Sequence, residues 1–569
     1  MYFSYCFPAN GQAYKLVNAF ICRFRFNTAD AFTRYTFRSI NVFVHEYKLL
    51  KRLFRIGCTI KSYFSTVPHK SHRQVWIIER QKRVPEICSS ENLIKRLEQY
   101  NDLLTEEDPP YIMVVRRVED GTELSPGTKL YLRGFVPAIM EFAGWVLDEA
   151  IKSGKKRLYF LSRDGYQIYL AACRLADLRK LSVECRYLHV SRYAMRIPAY
   201  HLDMKSSLDR ICAGGMEVTL ERILKRGALT DEEAEKVANR VGRKDTCKDI
   251  LSRHQIAELK DILGSEPLFL NYVKRHSMEA YENAMGYLQQ EGLLSDVPYA
   301  IVDSGWVGTF QQSLQTLLRS RVPDIHIEGY YFGMYEIPPD ADAGDYHGWY
   351  FTPGTGLRRK VLFSNSLFEA VCSADEGMTL GYFWKDGEYL PRLDPEGNPN
   401  GEKQRQNLEA LRCFLKEFDP AEKGRLESGD HVRDGRRLVN RLFTLFMAKP
   451  TMAETESFGD HLFSDDVLTG NCQEVAGRLT EKEIRNLYIL RRLCILNGLR
   501  KDIIRESAWI EGSIVRCGMC SRQSRHYIKK SLRHIRWYKY LVYVRKQLKT
   551  WKRDVIGRQR NIHHMLSGR

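Results

Sequence analysis

Apolar and polar positions change period several times along the chain, and the changes mark its elements. Up to about Ser65, Phe, Tyr, Arg and Lys dominate, with apolar residues at loosely helical spacing. Residues 44–60 predict a basic amphipathic helix, packed on the body or meeting a membrane surface or partner. Residues 74–117 mix strand-like runs at 75–78 and 111–115 with a helix over 90–104, a mixture that defines no fold. A continuous apolar helix is expected over 132–151, stopped by Ser153 and Gly154. A buried strand over 157–162 then runs into Arg163, Asp164 and Gly165, and a helix follows over 166–178. A second strand, 185–190, ends at Ser191 and Arg192. Strand, loop, helix, strand is the rhythm of an open parallel sheet.

Residues 204–294 are helical and charged, with a capping-box pattern from Thr230 to Glu233. They read as a helical insertion at about 205–297. The sheet resumes with a strand over 299–303, a Gly-containing loop over 304–309, a helix over 310–319 and a strand over 325–332. A helix over 363–371 leads into a Gly-containing segment, and residues 404–507 are mainly helical. The expected fold is α/β: an open, mostly parallel, Rossmann-like sheet with a helical insertion and a helical C-terminal region. The expected divisions are 1–125 (basic, amphipathic, fold unassigned), 126–400 (α/β), 401–515 (helical) and 516–569 (a basic aromatic tail).

Composition narrows this picture only modestly. The 569 residues are 44% hydrophobic and 28% charged, an ordinary globular balance that excludes a disordered tail, a fibre or a disulfide miniprotein. Two to four folding units are expected at roughly 100–200 residues each. With no run of eighteen apolar residues, no membrane-spanning helix is expected, and residues 1–18 lack the pattern of a cleavable secretory signal. The net charge of +18 sits at the ends. Residues 516–569 hold 16 Lys and Arg against Asp554 alone, and residues 1–65 hold 10 against Asp30 and Glu46, leaving a mildly acidic body. Among the 14 cysteines only Cys517 and Cys520 form a CxxC, and no second pair completes a zinc site, so free thiols in a reducing cytoplasm are expected.

In the tail, Trp537, Tyr538, Tyr540, Tyr543 and Trp551 are interleaved with Lys and Arg. That pattern suits a helix lying on an anionic membrane. It also suits base stacking with phosphate contacts, or a merely solvated helix, and nucleic acid ranks last of these.

The candidate chemistry lies at the strand ends. In an open α/β sheet, ligands bind beyond the carboxyl ends of the strands, near a helix N-terminus. Gly305 and Gly308 let backbone N–H groups approach a phosphate, Thr309 offers a hydroxyl, and the next helix presents its positive end. Arg163 and Arg192 can pair with anionic oxygens, and Gly165 is expected to bind phosphate with them. Asp303 and Asp164 can orient a sugar hydroxyl or ligate Mg2+, and Glu369 is a third candidate acid, base or metal ligand. Either loop alone is also an ordinary tight turn. Three such strand ends in one sheet favour a cleft for an anionic ligand.

The set formed by residues 159–165, 190–192 and 302–309, with Glu369, Ser373, Ala374, Gly377, Gly381 and Tyr382, resembles one bacterial family. Its members are predicted hydrolases of the haloacid dehalogenase (HAD) superfamily, associated with surface-polysaccharide and glycosyltransferase loci. The likeness covers roughly residues 130–465 and concerns the region that follows the phosphatase-like domain. It implies an enzyme of surface-glycan synthesis that handles a phosphorylated sugar or nucleotide-sugar. It also implies a cytoplasmic location, peripheral at the inner membrane face, with glycosyltransferases as partners. A HAD phosphatase needs a nucleophilic Asp at its first strand end and an acid/base Asp two residues later. Here Asp164 takes the second position and Ser162 the first. That departure keeps open a non-catalytic, membrane-associated scaffold for glycosyltransferases. The loops at 157–178 and 299–319 also resemble the pyrophosphate and ribose-phosphate loops of phosphoribosyltransferases, which would make the chain a transferase of that kind.

Overall fold

The structure, a computed structural model, describes residues 87–566 except 108, 216–217, 340, 419–434, 465–471, 498 and 518–521. The helix expected over 44–60 and the strand expected over 75–78 lie outside the described residues. Contacts divide the chain into two units, 1–83 and 84–569, and the description concerns the second.

Helices α1 (Ile87–Glu107), α2 (Pro109–Gly121), α3 (Pro126–Gly134) and α4 (Val136–Lys152) lead to β1 (Arg157–Leu161), α5 (Tyr166–Leu178) and β2 (Glu184–Leu188). Between β2 and the next strand come α6 (Arg192–Ala199), α7 (Met204–Ile211), α8 (Leu220–Arg226), α9 (Asp231–Arg240), α10 (Arg253–Ser265) and α11 (Pro267–Gln290). Then follow β3 (Tyr299–Trp306), α12 (Thr309–Arg319), β4 (Glu328–Met334), β5 (Tyr346–Phe351), α13 (Leu357–Leu362) and α14 (Asn365–Cys372). A hairpin, β6 (Thr379–Lys385) and β7 (Glu388–Leu393), precedes α15 (Gly401–Glu417), α16 (Gly435–Phe443) and α17 (Met452–Phe458). A short pair, β8 (Leu462–Phe463) and β9 (Gln473–Glu474), leads to α18 (Glu481–Asn486), α19 (Ile489–Leu496), α20 (Ile510–Arg516) and α21 (Arg522–Leu566).

The chain is α/β: β1 to β5 form a parallel sheet in the order β2-β1-β3-β4-β5. Strand residues alternate between its faces, as the pleat requires. Leu158, Phe160, Ala300, Val302 and Phe332 point into one core, shared with α4, α5 and helices before and after the sheet. Tyr159, Leu161, Tyr299 and Ile301 point into the other, shared with α6, α11 and α12. Cover on both faces is why these strands read as unbroken apolar runs. The first core also takes Leu411, Phe414, Leu442, Phe446 and Trp509, so the later helices close over the sheet.

Several expectations change. Residues 111–115 are helical and belong to α2. Tyr111, Val114, Val115 and Val118 are buried while Met113 is exposed, a period of three to four rather than two, and Pro109 and Pro110 fit a first helical turn. The helix expected over 132–151 is broken at Phe135, because Pro137 has no N–H to continue the α3 ladder. Strand β3 runs on past Asp303 to Trp306, pairing Gly305 with Gly333 and Trp306 with Met334. Among the described residues, one apolar stretch, Pro126–Lys152, is long enough to cross a membrane, but 83% of its most apolar window is buried inside the protein. The tail helix is not wholly solvated either. Leu532 and Ile535 are buried, and the Tyr543 ring stacks on Tyr335 at 5.3 Å.

Candidate functional site

The chain crosses the sheet once. From β1 it moves outward to β2, then returns to the other side of β1 to build β3, β4 and β5. The crevice lies where the connections diverge, beyond the carboxyl ends of β1 and β3. A cavity of about 280 Å³ occupies that place. Arg163 and Asp164 reach it from the β1 end, Arg192 from the start of α6, and Asp303 and Gly305 from β3. Gly308 and Thr309 reach it from the start of α12, and Glu369 from α14. Eight of the nine residues picked from sequence therefore line this one cavity. The ninth, Gly165, lines no part of it. Its N–H donates to the Leu161 carbonyl at 2.8 Å, and a side chain there would meet that same oxygen, so it serves the turn itself.

Each position has a local cause. Ser191 caps α6, accepting from the Ala194 N–H at 2.9 Å and donating to the Thr379 carbonyl at 2.6 Å, which fixes where Arg192 starts. Gly308 holds φ at +69° as the residue before α12, and a Cβ would lie 2.4 Å from the Tyr346 ring. No side chain caps this helix, so the first N–H groups of α12 face the cavity with only the dipole to direct them. The Arg163 carbonyl accepts from the N–H groups of Tyr166 and Ala374, but the side chains of Arg163 and Arg192 have no hydrogen-bond or ion-pair partner among the described residues, which leaves both guanidinium groups available to ligand oxygens.

Three carboxyl groups face this positive wall. Asp303 accepts from the Ser304 N–H at 2.8 Å, yet removal from water and the neighbouring Asp164 push its carboxyl up to about 7. Glu369 accepts from the indole N–H of Trp306 at 2.5 Å, and burial, then Asp164, push it up to about 8. Asp164 is raised by burial, with Arg163 and Arg192 pulling the other way, and accepts from the Ser304 hydroxyl at 3.4 Å. Like charges in a poorly solvated space cannot all ionise, so the trio holds protons near neutral pH. Trp306 and Ser304 are the partners that sequence reading missed. Phe463 and Asn398, also on the wall, come from distant segments with no motif of their own.

The hydroxyl of Ser162 donates to the Val190 carbonyl at 2.7 Å and accepts from the Val190 N–H at 3.0 Å. It stitches β1 to the end of β2. No group of three or more His, Cys, Asp or Glu disposed to hold a metal ion occurs among the described residues. The chain matches no protein-family model and no curated protein.

The raised carboxyls carry a stability prediction. Between about pH 4, where unfolded carboxyls titrate, and pH 7–8, the native state binds more protons than the unfolded chain. Stability should therefore be greatest at the acid end of this window and fall as pH rises through it. The loss from Asp303 and Glu369 together should be several kcal/mol, since raising a pKa by one is worth about 1.4 kcal/mol. Urea unfolding from pH 5 to 8 would measure this. The Asp303→Asn, Glu369→Gln double variant should flatten the profile.

Proposed function

We propose that the cleft binds the phosphate of a phosphorylated sugar or nucleotide-sugar and acts on it by acid–base chemistry. What carries this reading is convergence. Three carboxyls from separate segments meet two arginines and an uncapped helix N-terminus in one cavity at the reversal of the sheet. The α12 amides, Arg163 and Arg192 would hold phosphate oxygens and meet charge developing in the transition state. Glu369, protonated near neutrality, would donate to the leaving oxygen, and Asp303 would accept a proton from the attacking group. A volume of about 280 Å³ suits a sugar phosphate better than a full nucleotide-sugar. If Mg2+ takes part, Asp164 and Asp303 would hold it, because Mg2+ is commonly bound by one or two carboxylates together with substrate phosphate. The ion would then neutralise charge on the phosphate oxygens.

The resemblance to HAD-like proteins of polysaccharide loci would assign this chemistry to surface-glycan synthesis, with residues about 205–297 read as a helical insertion in the sheet domain. The bonded Ser162 favours a second reading, a scaffold for glycosyltransferases at the inner membrane face that keeps the sheet but not the phosphatase reaction.

The test is thermal stabilisation by phosphosugars, nucleotide-sugars and phosphoribosyl pyrophosphate, with and without Mg2+. A ligand at a hundred times its dissociation constant should stabilise by about 2.7 kcal/mol. The shift should vanish in Arg163→Ala and in Asp303→Ala. A folded protein that responds to none of them would leave the scaffold reading standing.

A further inference from the structure

Away from the cleft, α21 carries apolar residues on two faces. One face packs on the body. Leu532 and Ile535 are buried, Lys539 pairs with the buried Glu511 at 2.7 Å, and Tyr543 stacks on Tyr335. The other face carries Trp537, Leu541, Val544 and Leu548, spaced four, three and four residues apart. At 100° per residue that row lies opposite the packed one. Trp537 is 42% exposed and Leu548 40%.

A second apolar row lies alongside. Helix α19 is held to α21 by the Tyr488 ring stacked on His534 at 4.3 Å and by Arg492 over Tyr538 at 4.1 Å. Its Leu490, Leu493 and Leu496, three residues apart, all face outward, and beyond the helix Leu499 and Ile503 are 71% and 82% exposed. Isolated exposed aliphatic side chains are ordinary, but four leucines and an isoleucine within fourteen residues beside a tryptophan row are the mark of a contact surface.

Charge decides what kind of contact. Lys501, Lys529, Lys530, Arg533 and Arg545, all exposed, lie in or next to the two segments along the chain. From Arg522 to Arg553 helix α21 has no acidic residue at all. The nearby acids are already engaged: Asp502 with Lys482 and Arg500, Glu483 with Arg505. A nucleic acid would use the cations but gain little from aliphatic side chains. An anionic bilayer uses both, taking leucines into the acyl boundary, Trp at headgroup depth and the cations among lipid phosphates.

We propose that the paired apolar rows of α19 and α21, with these exposed cations, form a docking surface for an anionic lipid membrane. It stands independently of the cleft chemistry.

The experiment is vesicle flotation of the full chain with phosphatidylcholine alone and with added phosphatidylglycerol. Binding is expected only to the anionic vesicles and should weaken with salt. The pair Lys530→Ala, Arg533→Ala should lower partition roughly thirtyfold. The pair Leu493→Asp, Trp537→Asp should lower it on the order of tenfold or more. Because all four side chains are exposed, unchanged melting would verify that the variants fold. The proposal is overturned by equal binding to neutral vesicles, by no binding, or by variants that bind like the parent. Two other outcomes also overturn it, each without vesicle binding. One is oligonucleotide binding insensitive to the Leu493 and Trp537 changes, and the other is a dimer that those changes dissociate.

Discussion

On the proposed acid–base chemistry, Glu369→Gln is expected to slow turnover of a phosphorylated ligand by about 10²–10⁴-fold while leaving its binding nearly unchanged. Glutamine keeps the shape of the side chain and its carbonyl oxygen still accepts from the Trp306 indole, so the wall of the cavity is preserved. What disappears is the proton. A carboxyl pushed up to about 8 is mostly protonated at pH 7 and can deliver that proton to a leaving oxygen. Activity of the parent should therefore fall as pH rises through about 8, and the variant should lose that alkaline limb. Asp303, pushed up to about 7, must be ionised to accept a proton, so the acid limb should belong to it and vanish in Asp303→Asn. Because the carboxyls share one field, the two apparent values belong to the set. Steady-state rates across pH 5 to 9 decide the matter. Full activity in Glu369→Gln would remove this residue from the chemistry.

The strand ends were legible because parallel strands covered on both faces leave a simple signature, an unbroken apolar run that stops abruptly at Gly, Arg or Asp. Helix α5 and the turn before it follow from that logic. Strand β5, YHGWYF, was not foreseen, since its aromatic run has neither clean alternation nor an aliphatic core. The hairpin of β6 and β7 could have been read. Asp386 and Gly387 both sit at positive φ, and an Asp-Gly pair between apolar alternations is a strong two-residue turn signal. At 111–115 the β-branched Ile112, Val114 and Val115 suit a strand, yet their burial on one face makes the segment helical.

The site shows the same division. Residues within one strand–loop–helix unit could be assigned together, because the connection between them is short and the topology nearly fixed. Glu369 stood out as an acid on a short helix that leads into a Gly-containing segment, and the resemblance includes it as well. Its pairing with Trp306, sixty-three residues earlier in the chain, depends on α14 packing across the end of β3, which no local pattern encodes. The tail was legible in charge but not in orientation. Composition marks it as basic and aromatic, whereas only packing shows that Tyr543 faces the body and Trp537 faces outward.

Gly305→Ala should destabilise the protein by about 3–5 kcal/mol, the sum of a backbone penalty and a collision. Gly305 has φ of +141°, a conformation that an L side chain rarely adopts. Its missing Cβ would lie 2.1 Å from the carbonyl oxygen of Gly333, its partner on β4. That oxygen belongs to the sheet and cannot swing aside as a lysine tip would. Gly333 cannot retreat either, because a Cβ on it would already be 2.6 Å from the Phe351 ring on β5. Three strands thus approach through two glycines, and relief at one contact creates another. Gly144, inside α4, has open space around the same virtual atom, so Gly144→Ala should stabilise by about 0.5–1 kcal/mol through helix propensity alone. Urea midpoints of the two variants should therefore move in opposite directions. If Gly305→Ala instead matches the parent, β3 and β4 do not pair through Gly305 and Gly333, and the cleft that depends on this approach is built differently.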